Sequence, residues 1–254
     1  MIVILTVNDQ AYKPLADITA ENKKVYCEKH GYLLQHVTDG GSSLCGGKIM
    51  SAKLNNTPPD QIPIGWGKIY ALQDVMTRYP DCTWILNTDC DVMITNMDIK
   101  VEDILAKVAD ENTHVIIPAD INGINCGNML IKNSPIGRAF VDVVASSLNL
   151  YRHWYLQENQ CIQDLVIGTF LTEQGVKNGG TFWTSVARVV PQRIMNSYDY
   201  KNLPAFKNRT NVKDILGTDG QWKKEDFMIQ WPSTPLDYRL KVAKIYKAMT
   251  VLDI

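Results

Sequence analysis

The sequence predicts an α/β protein: a three-layer sandwich with a mostly parallel central sheet and helices on both faces. Three observations carry this. An apolar run at Ile2–Val7, a helix-spaced stretch at residues 15–30 and a second apolar run at residues 32–37 form a strand–helix–strand unit, which builds parallel sheets. Strands and helices then alternate along the chain. The strand at residues 84–86 runs into Asp89-Cys90-Asp91, at the carboxyl edge where open α/β sheets place their ligands.

Each element has its own signal. Ile2–Val7 is continuously apolar, as strands covered on both faces are. The polar Asn8-Asp9-Gln10 follows at its carboxyl end. Ala16, Ile18, Thr19, Asn22, Val25 and Tyr26 recur at helical spacing within residues 15–30, and Gly31 stops that helix. Residues 38–62 break the pattern. Asp39-Gly40-Gly41-Ser42-Ser43 and Asn55-Asn56-Thr57-Pro58-Pro59 are turn chemistry, and so long a loop in a compact domain predicts a lid or an acceptor wall. Residues 64–79 read as an amphipathic helix with Trp66, Ile69, Leu72, Val75 and Met76 on one side, ended by Pro80. After the strand at 84–86 come a helix at Val101–Val108, a strand at 114–117, a polar glycine-containing segment at 120–128 and a strand at 129–131. Helices at 135–150 and 159–173, a strand-like stretch at 181–190, a short strand at 227–229 and a closing helix at 236–249 complete the reading. No internal repeat or linker divides the chain, so residues 1–254 read as a single domain.

Composition narrows the classes. The chain is 45% hydrophobic and 21% charged, as ordinary globular proteins are, and its formal net charge of −1 leaves no footprint for nucleic acid. No apolar run is long enough for a membrane span. The first seven residues are too short for a signal peptide and lack a basic start. The six cysteines show neither a CxxC pair nor zinc spacing, and are read as reduced thiols. Together these features lead us to expect a cytoplasmic protein. Asn55-Asn56-Thr57 and Asn208-Arg209-Thr210 match the glycosylation pattern, which matters only for a secreted chain.

The chemistry concentrates at Asp89 and Asp91. In extended backbone, residues i and i+2 point to one side, so both carboxylates are expected to face one cavity. Adjacent carboxylates in an apolar setting repel unless a cation lies between them. Mg²⁺ or Mn²⁺ accepts one or two carboxylates together with phosphate oxygens. The pattern predicts a metal–diphosphate site; the plainer reading is a solvated turn after a strand.

Further pieces recur in order. They are Glu21-Asn22-Lys23 with His30-Gly31-Tyr32, Trp66-Gly67-Lys68, and Trp84-Ile85-Leu86-Asn87-Thr88-Asp89-Cys90-Asp91. Next comes Asp120-Ile121-Asn122-Gly123-Ile124-Asn125-Cys126-Gly127-Asn128, then Trp154 with Asn159-Gln160. Val190-Pro191-Gln192-Arg193 with Asn196-Ser197-Tyr198, and Asp226-Phe227-Met228-Ile229-Gln230, close the series. On these motifs, over roughly residues 1 to 232, the chain resembles the nucleotide-sugar glycosyltransferases of the GT-A fold, in particular the galactosyl, xylosyl and mannosyl transferases of family 34.

The resemblance implies a metal-dependent transferase that moves one sugar from a nucleoside-diphosphate donor, UDP-linked by family frequency, to a glycan hydroxyl with retention of configuration. It implies that Asp89 and Asp91 hold a divalent cation, Mn²⁺ or Mg²⁺. Thr6, Val7, Asn8, Lys68, Cys90 and Asn125 would meet the donor with Asp89, and Asp120, Asn159 and Gln160 would form the catalytic group. Two departures stand out. Asn159-Gln160 lies where the family has Asp-Gln or Glu-Gln; an amide at 159 cannot serve as a carboxylate nucleophile, which leaves Gln160 to stabilise an oxocarbenium-like face. Glu158 and Asp164 are the nearby carboxylates, and the plain alternative for Asn159 is a helix cap. Gln230 stands where the family has its third metal ligand, a histidine; either the amide oxygen completes the cation's shell or water does. These departures leave retention open and sustain a second reading, a non-catalytic nucleotide-sugar- or glycan-binding protein on a transferase scaffold. A nucleotidyltransferase would want a glycine-rich phosphate loop after the first strand, and Thr6-Val7-Asn8-Asp9-Gln10 has no glycine.

Overall fold

The computed structural model describes residues 1–46, 48–50, 61–172, 175–178, 181–206 and 212–251. The middle of the 38–62 loop, where a lid or wall is expected, lies outside these residues, as do both glycosylation-type tripeptides. The chain folds in the order β1 (Ile2–Val7), α1 (Lys13–His30), β2 (Leu33–Val37), α2 (Ile64–Arg78), β3 (Trp84–Thr88), β4 (Val92–Ile94), α3 (Val101–Val108) and β5 (Val115–Asp120). It continues through β6 (Gly123–Ile124), β7 (Asn128–Lys132), α4 (Pro135–Ser146), α5 (Gln157–Ile167), β8 (Ala187–Val190), β9 (Ser197–Tyr198), β10 (Met228–Gln230) and α6 (Leu236–Val251).

The main sheet has the strand order β8-β5-β7-β3-β1-β2, with β6 paired to β5. β1 lies parallel between β2 and β3, and β8 is parallel to β5. β7 runs against its neighbours β3 and β5, and the short β6 runs against β5. Side chains alternate across β1, so Val3 and Leu5 pack under α2, α4 and α5, while Ile2 and Ile4 pack under α1 and α3. Each fully buried aliphatic side chain of this kind contributes about 1.5–3 kcal/mol. This is the three-layer α/β sandwich expected from the sequence, with a mostly parallel sheet. Among the described residues no helix is long and apolar enough to cross a membrane.

Two smaller features position the site. β10 pairs antiparallel with β4 in the register Gln230↔Val92, which sets Gln230 beside the Asp89–Asp91 turn. α6 packs across α1 over a separate aromatic cluster containing Tyr198, Trp231 and Tyr246.

The predicted helix at 159–173 is shorter and earlier than expected. It ends at Gly168 (φ 70°), whose left-handed backbone suits glycine, and Thr169–Thr172 then pairs as a hairpin with Gly175–Asn178. Residues 181–190 are not one strand: Thr181 caps a turn of helix at Phe182–Val186 by accepting a hydrogen bond from the Thr184 N–H, and β8 follows. The helix expected at 135–150 breaks at Ser147, whose hydroxyl returns to the Val143 carbonyl at 2.8 Å.

Candidate active site

The Asp89–Asp91 turn is pinned from two sides. The Asp89 N–H donates to the Gly127 carbonyl at 2.7 Å, tying the turn to the segment before β7. From α1, the Thr19 hydroxyl donates to the Cys90 carbonyl at 2.8 Å, and the Lys23 ammonium donates to the carbonyls of Val92 at 2.8 Å and Asp89 at 3.3 Å. Burial lowers the Lys23 pKa to about 8, against the pull of Cys90, Asp91 and Asp89.

The turn faces a cleft of two adjoining lobes. The first, about 380 Å³, is lined by Val7, Asn8, Asp9, Tyr12, Ile64, Cys90 and Arg239. The second, about 320 Å³, is lined by Asp120, Asn122, Asn125, Gly127, Tyr155, Asn159, Tyr198 and Gln230. Lys68, Asp89, Asp91 and Glu158 belong to both and form the seam.

Charge is densely paired along this seam. Lys68 Nζ lies 2.7 Å from Asp89 Oδ1 and 3.4 Å from Glu158 Oε1. Burial alone would lower Lys68, but the neighbouring Asp89, Cys126 and Glu158 hold it well above the ordinary lysine range. Asp89 goes the other way: burial, reinforced by Asp91 and opposed by Lys68, pushes its carboxyl up to about 6. Asp91 Oδ1 accepts from Gln230 Nε2 at 3.0 Å, and Arg239 Nη1 lies 3.0 Å from Asp91 Oδ2. Gln230 Oε1 is buried and without a hydrogen-bond partner among the described residues. Two carboxylates and an unpartnered amide oxygen are an oxygen-only donor set of the kind hard divalent cations take. Among the described residues no three His, Cys, Asp or Glu are grouped to hold a metal, so an amide is the third oxygen on offer.

The floor of the second lobe is a hydrogen-bonded triad. Tyr198 OH donates to Asp120 Oδ2 at 3.1 Å and accepts from Asn125 Nδ2 at 2.6 Å. Burial raises the Asp120 carboxyl. Gly127 lies where three groups converge: a Cβ there would sit 2.6 Å from Gln230 Nε2, 2.7 Å from Asn125 Oδ1 and 2.9 Å from Asp89 Oδ2. Gln157 (φ 44°) and Ser233 (φ 54°), the two non-glycine residues of positive φ among the described residues, both line this lobe. Strained backbone of this kind concentrates at functional sites.

The structure therefore gathers Val7, Asn8, Lys68, Asp89, Cys90, Asp91, Asp120, Asn125, Asn159 and Gln230 at one cleft. Two candidates are placed elsewhere. Thr6 is buried beneath the cleft wall, because successive strand residues face opposite sides. Gln160 turns away and donates to Asp164 Oδ1 at 2.8 Å. Asn159 reaches the lobe, but both its amide atoms are committed: Oδ1 accepts from the Cys126 N–H at 2.7 Å, and Nδ2 donates to the Ile124 carbonyl at 3.0 Å. Glu158 occupies the seam instead. Sequence reasoning named it only as a nearby carboxylate, and missed Arg239 and Tyr155.

The sequence profile of the galactosyl transferase GMA12/MNN10 family matches residues 1–110 and 106–232. An alpha-1,2-galactosyltransferase of Schizosaccharomyces pombe is 29% identical over 218 residues, covering 74% of this chain and 52% of its own length. A probable alpha-1,6-mannosyltransferase, MNN10, of Saccharomyces cerevisiae is 25% identical over 161 residues, 54% of this chain and 37% of its own. The chain thus spans about half the length, or less, of these relatives. Among solved structures, a glycosyltransferase involved in glycosylation of the major capsid of PBCV-1 superposes with a TM-score of 0.63 at 15% identity, covering 96% of this chain and 98% of that one. The galactosyltransferase LgtC does so with a TM-score of 0.55 at 12% identity, covering 99% and 96%.

Proposed function

Because this chain belongs to the galactosyl transferase GMA12/MNN10 family and has the GT-A fold, we propose that it is a glycosyltransferase that moves a hexose from a nucleoside-diphosphate sugar to a glycan hydroxyl. The observation that carries the reading is the seam: Asp89 and Asp91 side by side at the sheet's carboxyl edge, with Lys68 and Glu158 across from them.

Each group has a job in this reading. Val7 and Asn8 receive the nucleoside, with Asn8 Oδ1 held by His36 Nε2 at 2.6 Å. Lys68 sits where the diphosphate crosses the seam and neutralises its charge. The sugar lies over Asp120 and Asn125, where Asp120 Oδ1 and Asn125 Oδ1 each accept one backbone N–H and keep a lone pair for its hydroxyls. Glu158, rather than Gln160, is the side chain facing the reacting carbon, where a carboxylate stabilises developing positive charge. That arrangement supports retention of configuration. Asp89, Asp91 and the amide oxygen of Gln230 are the residues that would hold a divalent cation, which supplies electrostatic compensation for the departing diphosphate. The acceptor enters over Tyr155, 65% exposed at the rim of the second lobe.

A screen of donor hydrolysis across UDP- and GDP-sugars, with Mn²⁺ or Mg²⁺, tests the proposal. One donor class should be hydrolysed in a cation-dependent way, with a UDP-sugar expected. The alternative, a nucleotide-sugar-binding protein without turnover, draws on one observation: both members of the Asn159-Gln160 pair are spent on internal hydrogen bonds. Tight donor binding with no hydrolysis or transfer would favour it; no binding of any donor would overturn both readings.

A further inference from the structure

α6 brings one cation to the first lobe, from beyond residue 232, where the family match ends. Arg239 Nη1 contacts Asp91 Oδ2 at 3.0 Å, and Arg239 Nε donates to Thr234 Oγ1 at 3.1 Å. Its guanidinium lies over the Tyr12 ring, 5.6 Å from the centroid. Three independent contacts thus hold a side chain that is 12% exposed, and its rotamer entropy is already spent in the folded protein. Its second terminal nitrogen, Nη2, has no partner among the described residues.

The charge of the lobe shows what this arrangement is for. The ionisable acidic side chains lining it are Asp9, Asp89, Asp91 and Glu158, while the cations are Lys68 and Arg239. A lobe with this balance repels a diphosphate unless positive charge meets the anion, from a divalent cation held by Asp89 and Asp91, from these side chains, or from both. Lys68 is already shared between Asp89 and Glu158. Among the described residues Arg239 is tied to one carboxylate and donates no hydrogen bond from Nη2, and a planar guanidinium pairs two oxygens of a phosphate at once.

We propose that Arg239 is a donor-contacting residue whose unclaimed guanidinium edge binds the diphosphate of the nucleotide, so that α6 forms part of the donor site. The inference rests on the donor reading given above. It assigns the phosphate contact to a residue of this chain's closing helix, outside the matched family stretch.

Calorimetric titration of UDP, GDP, uridine and guanosine into the full chain tests it. The Arg239→Gln variant should bind the preferred nucleoside diphosphate at least tenfold more weakly and bind the matching nucleoside unchanged. Arg239→Lys should recover part of the loss, since a point charge replaces a planar fork. Thr234→Val, which removes the Nε anchor together with the hydroxyl's own hydrogen bond to the Trp231 carbonyl, should show a smaller loss of the same kind, again for the diphosphate and not for the nucleoside. It also carries the comparison if Arg239→Gln does not fold. Unchanged diphosphate affinity in these variants overturns the proposal, as does an equal loss for nucleoside and diphosphate, which would make Arg239 a mere prop of the wall. If the wild-type chain binds neither UDP nor GDP, the donor reading itself falls; if it binds one of them and the variants bind it equally well, only the Arg239 assignment falls.

Discussion

Asn159 makes a pair of hydrogen bonds that an ionised carboxylate cannot make together, accepting from the Cys126 N–H and donating to the Ile124 carbonyl. A carboxylate at 159 would keep the first and set a negative charge against the Ile124 carbonyl oxygen. Asn159→Asp should therefore destabilise the fold by about 1–3 kcal/mol, the range for leaving a buried acceptor unsatisfied. Thermal unfolding checks this, and an unchanged midpoint would contradict it. Asp89 gives a second prediction. Its carboxyl is pushed from 3.8 to about 6, chiefly by burial. Between those values the folded chain holds a proton that the unfolded chain has released, so this group's contribution to stability is present at low pH and is lost as pH rises through the window. Comparing wild type with Asp89→Asn from pH 4 to 6 isolates it: the wild type should lose stability relative to the variant as pH rises, and parallel curves would refute the assignment. Gln230 gives a third. An imidazole suits Mn²⁺ better than an amide oxygen does, whereas Mg²⁺ prefers oxygen. Gln230→His should shift cation preference in nucleoside-diphosphate binding from Mg²⁺ toward Mn²⁺, and titration with both ions would show no shift if Gln230 is not a ligand.

At the scale of elements, the site depends on how β7, β10 and α5 meet. Glu158 and Gln160 are two residues apart on α5, about 200° around a helix of 3.6 residues per turn, so only one of them can face the cleft. Tyr151 and Asp164 hold the opposite face, Tyr151 OH donating to Asp164 Oδ2 at 3.0 Å, and Gln160 joins that face. The segment before β7 must come close enough for Gly127 to pass between Gln230, Asn125 and Asp89. Gly127→Ala should cost about 1–3 kcal/mol of stability through local overpacking. It should also weaken nucleoside-diphosphate binding about tenfold, because the atoms displaced are the carboxylate and amides of the seam. Calorimetry on the folded variant checks this, and full affinity would show that these side chains move aside freely.

Across the whole molecule, the two faces of the main sheet and the aromatic cluster under α6 share strands and helices. β1 contributes to both sheet faces, and α1 supplies Tyr26 to one of them and Leu15 to the aromatic cluster. A chain joined in this way should unfold as a single unit. We expect one cooperative transition, coincident by circular dichroism and tryptophan fluorescence; two separated transitions would divide the chain into independent domains.

Local pattern and tertiary structure settled different parts of this protein. Ile2–Val7, α1, α2 and β3 were legible because periodicity and breakers such as Gly31 and Pro80 act within a few residues. The Asp89–Asp91 pair was legible as a motif at the end of a strand, but its carboxylates share the cleft through a turn, with the Val92 N–H donating to the Asp89 carbonyl at 3.2 Å, and not through strand alternation. The hairpin after Gly168 was missed because the short stretch Thr169-Phe170-Leu171-Thr172 suits the end of a helix as well as a strand, and only pairing distinguishes them. The partners of the Asp89–Asp91 pair come from far along the chain. Gln230 meets Asp91 across 139 positions through the antiparallel register of β10 on β4, and Arg239 arrives only because α6 packs on α1. The choice of Glu158 over Gln160 follows from the rotational phase of α5, which packing against α2 and α4 sets. Sequence determined which residues carry charge at the sheet's edge; long-range packing decided which of them face one another, because hydrophobic contacts fix helix phase and strand register over distances that local pattern does not encode.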